Sequence, residues 1–321
     1  MRSISLILVI LLVAAVAAGV YFWWPLSAEK GADQRVSPST RPVADADRVL
    51  RIGLVPEYDV FALRRSYQGV TKYLSQKLGR PVEVVTLTSY QAVLADFQER
   101  QIDGAFLGSL VALLAMDRYG AQVLVKPEQA GGVSTYRGVI FVRADSPIRS
   151  LDDLGGQSIA MLRATYAGSL FPISELAQRN LMTGHAAPRM IWMGTHDEVI
   201  DAVVSGRAVV GAVKDLRLDI FEKSHSNEKL RRLATSKGVP NNALVVRSDL
   251  SEQLRQQIAQ VLQEMDNDAD GRQALANLGA KRFVPCSRDQ YDPIYEMTES
   301  VGPAWALVGV TGEAPKRPKA K

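Results

Sequence analysis

The chain reads as an α/β protein of two lobes, each a mostly parallel sheet flanked by helices, preceded by one N-terminal transmembrane helix. Three observations carry that reading. From Leu50 onward, short apolar runs alternate with amphipathic helical stretches, the order that builds helix-covered sheets with parallel strands. The alternation stops at Gly131 and restarts at Tyr136, and 321 residues of 47% hydrophobic content suffice for two lobes. Finally, Ile4 to Trp24 is uncharged and almost wholly apolar, about long enough to cross a hydrocarbon core.

Arg2 precedes that apolar run, and Tyr21, Trp23 and Trp24 supply interfacial aromatics at its end. A cleaved signal peptide has a shorter apolar region followed by a small-x-small site. Leu26-Ser27-Ala28 matches that poorly, and no lipobox cysteine follows. Residues 1–24 are therefore expected to be an uncleaved signal anchor, N-terminus inside and the bulk of the chain exported. The alternative is a soluble exported protein after cleavage; either way the working domain lies outside the cytoplasm. Residues 25–47, rich in Ser, Pro, Ala and charge, read as a flexible tether.

The first part of lobe 1 spans 48–132. Leu50 to Val55 is a buried-strand pattern ended by Pro56; Asp59 can cap a helix to about Leu78, stopped by Gly79. Pro81 to Leu87 alternates as a strand, and Ser89 caps a helix to about Arg100. Asp103 to Gly108 is a third strand with a glycine exit, followed by an apolar helix to Arg118 and a strand from Gln122 to Lys126. Lobe 2 is expected over 133–238. Its strands are Tyr136 to Arg143, Ser158 to Leu162, Arg189 to Met193, Ala208 to Val213 and Leu230 to Ala234, with Thr195 or Asp197 capping a helix to Ser205-Gly206. Residues 239–308 return to lobe 1 as a strand from Ala243 to Arg247 and helices over 251–265, 272–278 and 289–300. Residues 309–321 form a basic tail.

Within lobe 2, Gln157 to Pro172 is a strand, a polar turn and a helix start in that order. Such a turn aims unpaired N–H groups and the positive end of a helix dipole at one point, the geometry of an anion cradle. Thr165 adds a hydroxyl and Tyr166 a phenol. Arg163 offers a bidentate grip on an oxyanion or is an exposed loop arginine. The net charge of +4 is matched by Lys316, Arg317, Lys319 and Lys321 of the tail, and basic residues elsewhere are dispersed among acids. No nucleic-acid surface is indicated. The single Cys286 excludes an intrachain disulfide and a cysteine-cluster metal site. No cofactor is called for.

Several motifs in series resemble the phosphate/phosphite/phosphonate-binding family of solute-binding proteins that feed ABC transporters. They begin with Arg51-Ile52-Gly53-Leu54-Val55-Pro56, Ile102 to Gly108, and Tyr136 to Arg143 with the Ser150 to Leu154 turn. Ala167-Gly168 with Pro172, Gly194-Thr195-His196-Asp197 with Ala202 to Gly206, and Val239-Pro240-Asn241-Asn242 complete the series. The resemblance implies a type II periplasmic-binding-protein fold. It also implies that the family's Ser-Thr-Ser-Gly oxyanion turn is represented by Thr165-Tyr166-Ala167-Gly168, that His196 holds an anionic oxygen, and that Asn242 stands where the family has an acid. An uncharged Asn242 disfavours 2-aminoethylphosphonate. Ser109 takes the place of a turn proline, and Tyr58 lies near a family tyrosine. His196 alternatively only caps its helix, and Lys214-Asp215 either lines the cleft or salt-bridges at the surface.

The function expected from this resemblance is capture of a small oxyanion in the cleft between lobes, with no catalysis. Tyr58, Ser109 and Asn242 contribute from lobe 1; Arg163, Thr165, Tyr166, Ala167, Gly168 and His196 contribute from lobe 2. The partner is an ABC permease in the inner membrane. A second reading makes the protein a ligand-sensing partner of a membrane sensor histidine kinase, and a third makes it an enzyme on the same fold.

Overall fold

The computed structural model describes residues 48–317 apart from positions 56, 90, 91, 185 and 186. The expected membrane segment, Ile4 to Trp24, and the tether lie outside the described residues. Among those described, no helix is long and apolar enough to cross a membrane.

Lobe 1 opens with β1 (Leu50–Leu54). Its helix α1 (Val60–Leu78) starts where Asp59 accepts from the Ala62 amide at 2.8 Å and ends at Gly79, which is left-handed at φ 64°. Then come β2 (Val82–Thr86), α2 (Ala92–Gln98), β3 (Gly104–Leu107), α3 (Ser109–Tyr119) and β4 (Gln122–Glu128). The chain crosses into lobe 2 through β5 (Thr135–Tyr136) and continues as β6 (Gly138–Arg143), β7 (Ser158–Leu162), a wide π-type turn at Tyr166–Leu170 and α4 (Phe171–Gln178). β8 (Arg189–Met193), α5 (His196–Val204), β9 (Val210–Lys214), α6 (Asp215–Ser224) and β10 (Leu230–Thr235) follow. The return runs through β11 (Val239–Pro240), β12 (Ala243–Val246), α7 (Glu252–Gln263), α8 (Ala269–Leu278) and β13 (Arg282–Pro285), and ends in α9 (Asp292–Val301) and the short α10 (Trp305–Val308).

The lobe 1 sheet has the order β13-β4-β12-β3-β1-β2 and the lobe 2 sheet β10-β6-β9-β7-β8. Both sheets are mixed, where mostly parallel ones were expected. β1 runs parallel to β2 and β3, and β7 runs parallel to β8 and β9. The strands that leave or enter a lobe at a crossing, β4, β6 and β12, run antiparallel to their neighbours. β5 and β11 pair with each other, Tyr136 opposite Val239, as two crossing strands side by side. The Tyr136 to Arg143 run is therefore broken at Arg137, one half serving the crossing and the other the sheet.

Two further elements had no sequence signal strong enough to reveal them. α6 buries only Leu218, so its apolar periodicity is weak. β13 is an edge strand ending in Pro285, paired only with β4. The C-terminal helices also depart from a simple return to lobe 1. Tyr295 of α9 donates to Asp117 of α3 at 2.8 Å, while Ser300 meets Ser174 of α4 at the same distance. The α9 helix thus bridges the lobes. One apolar core lies between the lobe 1 sheet and α1, α7 and α8; the other runs from α3 through Tyr136 and Val239 into lobe 2 without interruption.

Gly138 marks the tightest junction behind the Thr165 turn. A Cβ there would meet the Phe171 ring at 2.8 Å and Ala167 Cα at 3.1 Å. Gly138→Ala is therefore expected to destabilise by about 1–3 kcal/mol through overpacking. Gly79→Ala, with nothing within 4 Å of the new methyl, should lose only the left-handed backbone term of about 1 kcal/mol. Urea midpoints of the two variants test this, and a larger shift for Gly79→Ala than for Gly138→Ala would contradict it.

Candidate functional site

The carboxyl ends of the central strands in both lobes face one cleft, the place where open α/β sheets bind ligands. Four helix N-termini converge there. Gly108 precedes α3, Thr165 the π-type turn into α4, His196 opens α5 and Lys214 precedes α6. All four residues line one enclosed cavity of about 10 Å³, together with Glu57, Val111, Tyr136, Ala164, Tyr166 and Ala167. Helix N-termini carry partial positive charge and unpaired N–H groups, so the cavity suits a negative group.

The Thr165 turn is tied internally. Thr165 Oγ1 accepts from the Gly168 amide at 3.0 Å, and the Thr165 amide donates to Ser169 Oγ at 3.1 Å. Ser169 and Leu170 both donate their amides to Thr165 O. Among the described residues no acceptor takes the amides of Tyr166 or Ala167, which leaves these two N–H groups for a ligand. The Gly168 amide, expected as a ligand donor, is used by the cap. Tyr166 is buried and donates from Oη to Lys237 O at 3.1 Å, and burial pushes its phenol up to about 12.

Ala164 takes φ 57°, an uncommon left-handed step for a residue with a side chain. The step separates Arg163 from Thr165. Thr165 enters the cavity, whereas the Arg163 guanidinium lies 4.1 Å from the Trp192 ring centroid and its stem packs against Gly309. Arg163 thus has a stacking partner outside the cavity.

His196 is fully buried, and among the described residues neither ring nitrogen has a hydrogen-bond partner. Its backbone amide donates to Glu57 O, and Thr195, not the imidazole, caps α5 by accepting from Glu198 N at 3.2 Å. Burial lowers the imidazole pKa to about 3, so at neutral pH the ring offers one donor and one acceptor. A buried neutral imidazole with both atoms unsatisfied is costly. A ligand oxygen accepting from the ring N–H offsets that cost.

Two ionisable residues complete the cavity. Glu57 follows β1 and is 8% exposed; Lys214 ends β9 and is 4% exposed. They form an ion pair across the cleft, one partner from each lobe. Burial would raise the Glu57 pKa, but the Lys214 ammonium beside it outweighs that and holds it below the usual range. Lys214 Nζ also donates to Asn242 Oδ1 at 2.7 Å. Beyond this pair lies an outer vestibule of about 140 Å³ that Tyr58, Tyr67, Arg217 and Asn242 help to line.

Of the residues expected from sequence, Thr165, Tyr166, Ala167 and His196 meet in the cavity, and Tyr58 and Asn242 lie in the vestibule. Tyr58 bonds to Ser66 at 3.1 Å with the Arg217 guanidinium over its ring. Ser109 is buried but spends its hydroxyl on Pro240 O at 2.6 Å, bracing the crossing. Glu57 is not among the expected residues, although its position just past the first strand, beside Tyr58, is a signal. Lys214, expected either to line the cleft or to salt-bridge at the surface, lines the cavity and is paired there with Glu57.

A two-lobed binding protein is the class that this fold and cleft define. The family model for "ABC transporter, phosphonate, periplasmic substrate-binding protein" matches residues 52–291, and the chain belongs to that family, one of transport binding proteins rather than enzymes. It is similar to the phosphonates-binding periplasmic protein of Escherichia coli (strain K12), 24% identical over 261 residues, 79% of this chain and 77% of that one. It is also similar to a probable ABC transporter phosphite binding protein of Prochlorococcus marinus, 22% identical over 274 residues, 80% of this chain and 91% of that one. Two solved structures share the fold. A binding protein component of an ABC phosphonate transporter from Pseudomonas aeruginosa has TM-score 0.70 at 20% identity, covering 79% of this chain and 87% of that one. A Prochlorococcus marinus protein in complex with methylphosphonate has TM-score 0.69 at 21% identity, covering 80% and 99%.

The His196 environment generates a stability prediction. Its folded pKa of about 3 lies below the ordinary 6.5, so between those values the unfolded chain binds more protons than the folded one. Stability therefore rises with pH through that window, by up to about 1.4 kcal/mol per unit from this one group, and is level above it. The urea midpoint of the wild type should fall as pH drops below about 6.5, and His196→Gln should flatten the fall by about one proton. Identical slopes would count against a neutral His196.

Proposed function

We propose that the protein is the extracytoplasmic binding component of an ABC transporter and that it captures a small oxyanion of the phosphonate, phosphite or phosphate type between its lobes. One observation carries this reading. A single enclosed cavity holds the free amides of Tyr166 and Ala167, the unpartnered His196 ring and the Thr165 hydroxyl, all suited to a tetrahedral anion. With Glu57 and Lys214 cancelling and His196 neutral, the lining side chains carry no net charge. Affinity then comes from N–H donors and helix dipoles rather than from ion pairing. Family membership supports the transport role, and the names of the similar proteins support the ligand class.

The cavity has room for about one water, and a tetrahedral oxyanion is larger than that. Entry requires the lobes to part, as in hinge closure around ligands. The apolar run from Ile4 to Trp24 supports an anchor that keeps the protein beside its permease.

A thermal-shift panel of phosphate, phosphite, methylphosphonate, sulfate and arsenic oxyanions tests the ligand class. At a hundredfold excess over Kd the binding anion stabilises by about 2.7 kcal/mol; a panel with no shift refutes the reading. Thr165→Ala should weaken the identified anion at least tenfold and cost about 1 kcal/mol of stability through the lost cap. Unchanged affinity would remove Thr165 from the site. For the anchor, membrane fractions should retain Met1 to Trp24, and a soluble chain beginning near Glu29 would refute it.

A further inference from the structure

The Lys214 ammonium lies in an environment with the chemistry of an amine receptor. Nζ bonds to Glu57 Oε1 and to Asn242 Oδ1, and it stands 4.4 Å from the Tyr136 ring centroid. A carboxylate, an amide oxygen and an aromatic face around one cation are the groups that recognise an alkylammonium. The setting is desolvated, with Glu57, Tyr136 and Lys214 all buried. It also adjoins the anion cradle, because Glu57, Tyr136 and Lys214 line the same cavity as Thr165, Ala167 and His196.

A ligand that placed an oxyanion on the Thr165 turn and carried a short aminoalkyl arm would direct its amine at these acceptors. Lys214 already holds them. A second ammonium would share one buried carboxylate with the first at the cost of like-charge repulsion, and expelling Lys214 would strip a buried lysine of its partners. Asn242 being uncharged is thus not the whole reason to expect amine rejection, since a carboxylate stands beside it in Glu57. We propose that Lys214 is a tethered ammonium that fills an alkylammonium cage of Glu57, Asn242 and Tyr136, so that the site selects oxyanions without an amine. Removing the Lys214 amine leaves Glu57 a buried carboxylate without its counter-ion and opens the cage to an amine brought by the ligand. The oxyanion half of this inference rests on the function proposed above, whereas the cage does not.

The test uses the full-length wild type and Lys214→Ala, titrated with methylphosphonate, 2-aminoethylphosphonate and ethylammonium chloride, with sodium chloride matched for ionic strength. The wild type is expected to bind methylphosphonate at least tenfold tighter than 2-aminoethylphosphonate and to give no thermal shift with ethylammonium. In Lys214→Ala, 2-aminoethylphosphonate should bind at least tenfold tighter than it does to the wild type, and ethylammonium alone should raise Tm. Methylphosphonate binding by the wild type with no gain for either amine in the variant overturns the cage and leaves the oxyanion function standing. Ethylammonium rescue with no oxyanion bound by the wild type does the reverse. Should Lys214→Ala fail to fold, Lys214→Met, which keeps the apolar stem, takes its place. If neither variant folds, equal wild-type affinities for the two phosphonates overturn the proposal and a tenfold preference for methylphosphonate supports it.

Discussion

The buried ion pair between Glu57 and Lys214, one partner from each lobe, is the constraint on which the cleft depends. Four helix N-termini meet at one small cavity, and the one carboxylate that lines it among the described residues, Glu57, is matched by Lys214 from the opposite lobe. Removing either partner would leave a lone buried charge, which costs several kcal/mol. The pair itself contributes little net stability by the same reasoning, because desolvation offsets most of its attraction. Its consequence is positional: the pair ties the end of β1 in one lobe to the end of β9 in the other.

The rest of the architecture serves that alignment. β5 and β11 cross side by side at Tyr136 and Val239, so the element that connects the lobes also supplies an aromatic wall of the cavity. Ser109 ties the first turn of α3 to Pro240 on the second crossing strand. α9 links Asp117 on one side to Ser174 on the other. Motion between lobes must therefore be absorbed by a few residues at the crossings, the usual location of a hinge.

Legibility from sequence followed the range of the forces involved. The first strand, the capped helix from Asp59, the third strand with its glycine exit and the Arg189 to Met193 strand declare themselves through local apolar patterning and caps, and they stand where expected. The succession of strand, turn and helix start at Thr165 was readable for the same reason. Arg163 was not. Its direction depends on the left-handed step at Ala164 and on Trp192 from a neighbouring strand, neither of which local pattern encodes. Glu57 and Lys214 are 157 positions apart, so their meeting depends on lobe closure and on nothing adjacent to either residue. The antiparallel character of β6 and β12 likewise comes from the chain's path between lobes, which apolar periodicity does not record.

The charge balance of the cavity bears on how such a site can tell one small anion from another. Were Lys214 free to point at the ligand, it would attract any anion in proportion to charge, since an ammonium is a compact point charge with rotatable donors. Held by Glu57 and Asn242, it would under the proposed function leave recognition to the Tyr166 and Ala167 amides, the Thr165 hydroxyl and one imidazole nitrogen, whose directions are fixed by backbone and burial. Directional donors discriminate by the placement of acceptor oxygens, and a buried donor that an incoming ligand fails to satisfy carries a cost of its own. On the proposed function, selectivity in this cleft is then a matter of how many donors each anion leaves unpaired, with the internal ion pair keeping bulk charge from deciding the outcome.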